Sequence, residues 1–100
     1  MNKLPIEFKI AGQIIKINEI DDCDFDGNFG KFNSAKNEIN IYRYIMSDNE
    51  KVKLTDKQIE NTYWHEVFHV FNFFWNTETN EDLAQIFSNF MCEYNETVLR

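Results

Sequence analysis

The chain has 100 residues, 10 Lys plus Arg against 17 Asp plus Glu, a formal charge of −7, and 43% hydrophobic residues including 10 Phe, 2 Trp and 4 Tyr. That length and aromatic bulk fit one domain over 1–100 with a real core and exclude a disordered chain. The acid excess argues against a nucleic-acid partner, and no apolar run nears the roughly 20 residues of a bilayer span. Glu7 and Lys9 interrupt the stretch a signal peptide would need, and Cys23 and Cys92 are too few for a disulfide scaffold. A reduced, cytoplasmic protein without a membrane partner is the expectation.

The first half reads as strands. Phe8-Lys9-Ile10, then Ala11-Gly12, then Ile14 to Ile20 predict a hairpin turning near Gly12, where glycine supplies a conformation other residues resist. Residues 21–30 are polar and acidic and predict a loop. Gly30 to Asn33 predicts a short strand and 34–37 a turn. Glu38 to Tyr44 alternates polar with apolar, the clearest half-buried strand.

The second half reads as helices. Thr55-Asp56-Lys57-Gln58 matches a capping box, with Leu54 and Ile59 spaced for a hydrophobic staple. Ile59, Tyr63, Val67, Val70, Phe71 and Phe74 then recur at helical steps as a buried stripe, predicting a helix to about Trp75. Residues 77–80 form a polar connector. Leu83, Ile86, Phe87, Phe90 and Met91 mark a second helix. The fold class is therefore α+β: an N-terminal antiparallel three- or four-stranded meander followed by two packed helices.

His65-Glu66-Val67-Phe68-His69 lies inside the first helix and contains both histidines of the chain. The four-residue spacing stacks two imidazoles on one face, as two ligands of one ion require. Glu66, turned about 100° away, is placed to act as general base on water at the metal's open side. Zinc commonly takes a third protein ligand. Glu81, near the start of the second helix, is the leading choice, because Ala84, Gln85 and Ser88 on its face let the helices approach closely. Asp82 and Glu78 compete, and Glu93 and Glu96 are more remote.

His65-Glu66-x-x-His69 followed by Glu81-x-x-Ala84-x-x-Phe87-Ser88 resembles the zincin metallopeptidases of the ImmA/IrrE type, especially short forms from phages and mobile elements. The resemblance implies a zincin-like minimal core, zinc held by His65, His69 and Glu81, Glu66 as catalytic base, and a protein or peptide substrate. Such substrates commonly lie along an edge strand, for which residues 38–44 are the candidate here. Tyr42, Tyr44, Tyr63 and Tyr94 are available as an oxyanion donor. The alternative is a catalytically inactive zincin-like binding module of a phage or mobile element.

Asp22-x-Asp24-x-Asp26-Gly27 opens like a calcium loop, but Asn33 stands where the bidentate carboxylate belongs, so a solvated acidic loop is expected. The single cysteines read as small buried hydrophobes. Phe73 and Trp75, in an aromatic run, are the candidates for exposure on a partner surface.

Overall fold

The computed structural model describes residues 3–75 and 81–97, the side chains of Tyr94 and Glu96 excepted. Strands precede helices, and the α+β expectation holds. Strands β1 (Glu7–Ile10) and β2 (Gln13–Ile20) form the first hairpin, paired Phe8 to Ile15 and Ile10 to Gln13. Its two-residue turn has positive φ at both Ala11 (50°) and Gly12 (77°), the tight turn whose twist matches paired strands.

The sheet is not an antiparallel meander. Its order is β1-β2-β4-β3, and β4 (Glu38–Tyr42) runs parallel to β2, with Ile17 opposite Ile39 and Ile20 opposite Tyr42. Strand β3 (Gly30–Asn33) pairs antiparallel with β4 as the outer strand. The physical reason lies in the side chains. Ile39 and Ile41 of β4 are fully buried, which suits a central strand, whereas Lys31 and Asn33 of β3 are exposed, which suits an edge. The long acidic loop 21–29 carries the chain past the place β4 takes. The strand expected to run to Tyr44 ends at Tyr42, and Tyr44 opens a separate hairpin of β5 (Tyr44–Ser47) and β6 (Glu50–Lys53), of which residues 45–53 are unassigned from the sequence.

Helix α1 (Asp56–Trp75) begins as the capping box requires: Gln58 N donates to Thr55 Oγ1 at 3.1 Å, and Thr55 N donates to Gln58 Oε1 at 2.8 Å. Ile59, Tyr63 and Val70 pack with Leu54 onto Ile15, Ile17, Ile39 and Ile41 of the sheet, while Val67 and Phe74 are half-buried. Phe71, expected in that stripe, is instead exposed. Helix α2 (Glu81–Thr97) packs on α1 through its small residues, with Ala84, Ser88 and Cys92 buried. Its larger Leu83, Ile86 and Phe90 face outward. Closeness of approach therefore decides which face of α2 is buried, over side-chain size. Among the described residues no helix is long and apolar enough to cross a membrane.

Candidate metal centre

The cap and the sheet contacts fix the rotation of α1, and the rotation fixes the histidines. His65 and His69 lie on the side of α1 towards α2, each about one-fifth exposed, with ring centroids 4.8 Å apart. Glu81 is the first residue of α2, where the helix dipole favours an acid. Its carboxylate spans both rings: Oε2 stands 2.9 Å from His65 Nε2, and Oε1 stands 3.2 Å from His69 Nε2. In a tetrahedral zinc site with ordinary bond lengths, neighbouring nitrogen and oxygen donors stand about 3.4 Å apart. Both Glu81 contacts are therefore close to the spacing one ion would impose on its donors.

Glu66 occupies a different environment. It is 9% exposed and sits under β3, where its Cγ lies 3.2 Å from the point a Cβ on Gly30 would occupy. Gly30 is what permits that approach, since the same Cβ would stand 2.7 Å from Thr62 Cγ2. Burial raises the Glu66 pKa to about 7; His65 opposes the rise, Glu81 adds to it, and a backbone hydrogen bond from Phe32 opposes it. Ligand-type atoms of His65, Glu66 and His69 all lie within 4.8 Å of one another, so this group could hold a metal ion. Of the two acids, Glu81 faces both imidazoles and Glu66 stands to one side, buried.

A cleft of about 920 Å³ opens over this cluster. Residues 27–32 form one wall, Gln58, Asn61, Thr62, His65, Glu66 and His69 of α1 the floor, and Glu81, Gln85 and Asn89 of α2 the other wall. The strand bordering it is β3. Residues 38–44 are therefore not the substrate edge, because β4 is paired on both sides. Phe29 O accepts from Tyr42 N at 3.0 Å, which sets the alternation so that main-chain groups of Gly30 and Phe32 turn away from β4 towards α1.

The other expectations separate clearly. Asp82 is exposed one residue beyond Glu81, and Glu93 lies about 18 Å further along α2. Glu78 and the Glu96 side chain lie outside the described residues. Tyr63 is buried in the core, its hydroxyl pushed up to about 12 by that burial, and neither Tyr42 nor Tyr44 lines the cleft. The Tyr94 side chain is outside the described residues. In the acidic loop, Asp24 accepts from Asn28 Nδ2 at 2.8 Å, Lys31 lies within 3.7 Å of Asp24 and Asp26, and Lys51 pairs with Asp22 at 2.7 Å. Hydrogen bonds from Lys51 and Asn28 hold Asp22 and Asp24 below the usual carboxylate range. These carboxylates serve local lysines and amides. Cys23 and Cys92 are free and buried.

Sequence reasoning missed Asn61, Thr62, Gln85 and Asn89 as cleft residues. The signal was helical spacing, because Asn61 precedes His65 by one turn and Gln85 and Asn89 follow Glu81 by one and two. Comparison with protein-family models, curated proteins and solved structures gave no match.

Proposed function

We propose that the chain is a zinc-dependent peptidase that hydrolyses a peptide bond in a protein partner, with His65, His69 and Glu81 as zinc ligands and Glu66 as general base. The observation that carries this reading is one carboxylate within 2.9 and 3.2 Å of two imidazole nitrogens, each on its own oxygen. Two nitrogens and a carboxylate suit zinc and leave one side open to the cleft. Bound there, zinc would supply Lewis acidity, polarising a carbonyl and making an adjacent water easier to deprotonate.

The remaining work falls to this chain's own groups. Glu66, with a pKa of about 7 set mainly by burial, is suited to accept a proton from the attacking water and return it to the departing amine as the C–N bond breaks. The main-chain groups of Gly30 and the carbonyl of Phe32, whose N–H already serves Glu66, can pair with an extended substrate and hold the scissile bond over Glu66. Buried free thiols agree with a reducing, cytoplasmic setting.

Glu66→Gln tests the reading because it removes the base and preserves shape. The variant is expected to keep about one zinc per chain by elemental analysis and to lose about 100-fold or more of its peptide turnover. Undiminished turnover would reject Glu66 as the base. Zinc retention by wild type with no turnover of any peptide would favour the inactive binding module.

A further inference from the structure

The cleft differs in chemistry on the two sides of the His65–His69–Glu81 cluster. Towards the start of α1 its lining holds four carboxamides, Gln58 and Asn61 from α1 and Gln85 and Asn89 from α2, beside Lys57 and Phe29. Asn61 ties the helices together: its Nδ2 donates to Asn89 Oδ1 at 2.8 Å, and its Oδ1 accepts from Gln85 Nε2 at 3.0 Å and Ser88 Oγ at 3.2 Å. Gln85 Nε2 also donates to Asn89 Oδ1 at 3.0 Å. These bonds leave Gln85 Oε1 and Asn89 Nδ2 with no partner among the described residues, on two exposed side chains. One acceptor and one donor group, a helical turn apart, suit uncharged polar groups better than ions.

Towards the end of α1, Phe32 of the cleft lining reaches an aromatic neighbour just beyond the cleft. Phe32 of β3 meets Phe73 edge to face at 5.6 Å, and Phe73, one turn beyond His69, is 52% exposed. Gly30 abuts Thr62 and Glu66 while Phe32 reaches Phe73, so β3 runs in the same sense as α1. A segment added antiparallel to β3, the more stable pairing, enters past Phe32 and Phe73 and leaves past Gln85 and Asn89. The steps also match, because four helical residues rise about 6 Å and two extended residues about 6.6 Å. Alternate side chains of the bound segment thus keep pace with Glu81, Gln85 and Asn89. Glu66 and Glu81 disfavour an acidic side chain next to the cluster, while Lys31 and Lys57 supply the positive charge of the cleft lining.

Resting on the peptidase reading above, we infer that the site recognises an extended protein segment with an aromatic or large aliphatic residue before the scissile bond and Asn, Gln or Ser at alternate positions after it. The probe is a random decapeptide library displayed on phage and panned against the zinc-loaded Glu66→Gln chain, so that binding is read without turnover. Enriched peptides should carry the apolar anchor followed by uncharged polar residues two positions apart. Gln85→Leu and Asn89→Leu should each weaken the polar preference about 2–10-fold and leave the anchor preference intact. Gln85→Glu should instead select Lys or Arg at its position, a gain that misfolding cannot imitate. No enrichment, enrichment of acids, or a polar preference indifferent to all three substitutions would overturn the inference. If the selected peptides match but wild type does not cut them, the recognition stands and the peptidase reading falls. If wild type cuts the library without this preference, the peptidase reading stands and the recognition falls.

Discussion

Glu66 is a carboxyl group placed where water is scarce, and this has a thermodynamic signature apart from catalysis. In the metal-free protein its pKa is about 7 against an ordinary 4.5, because burial disfavours the charged form. The folded chain therefore binds this proton more tightly than the unfolded chain does. The resulting stabilisation is full below pH 4.5 and is lost as pH rises through about 7. The whole effect is about 3 kcal/mol from that shift. Urea unfolding of metal-free wild type and Glu66→Gln at pH 4.5, 6 and 8 isolates it. Wild type should lose stability relative to the variant as pH rises, and parallel curves would show that Glu66 titrates normally. Glu81, by contrast, has a side chain 70% exposed at the cleft surface.

Element placement depends on a few close approaches. Gly30 allows β3 to lie against Thr62 and Glu66, and its replacement by Ala would put a methyl group 2.7 Å from Thr62 Cγ2. Thr62 cannot turn freely, since its Oγ1 donates to Gln58 O at 3.0 Å. Gly30→Ala should cost about 1–3 kcal/mol in chemical unfolding. Thr62→Ala should recover part of that loss in the double variant, so additive costs would refute the contact. The helices were legible because their signals are local: the Thr55–Gln58 box, the Ile59, Tyr63 and Val70 stripe, and Glu81 opening α2. Strand order was less legible, because a β3–β4 hairpin reads alike whether β3 or β4 lies beside β2. Likewise the apolar spacing of Leu83, Ile86 and Phe90 announced a helix, while Ala84 and Ser88 decided which face it buries.

At the scale of the molecule, the sheet supplies one edge, the capped helix supplies His65, His69 and Glu66, and α2 returns to close the cleft with Glu81. The motif made the two imidazoles and Glu66 legible in the sequence. Glu81 was legible as the leading choice among several nearby acids, since its position depends on how α2 folds back over α1. The cleft edge went unread for the same reason as the strand order. Residues 56–97 hold eight Asp or Glu against one Lys, Lys57, so the helical half also provides a field that draws cations. Calorimetric titration of metal-free protein with zinc tests the centre most directly. Wild type and Glu66→Gln should each bind about one zinc per chain, and His65→Ala and Glu81→Ala should each weaken binding by more than the roughly 10–100-fold typical of outer-shell changes. A wild-type chain that takes up no zinc, or binds it equally well without His65 and Glu81, would contradict the assignment.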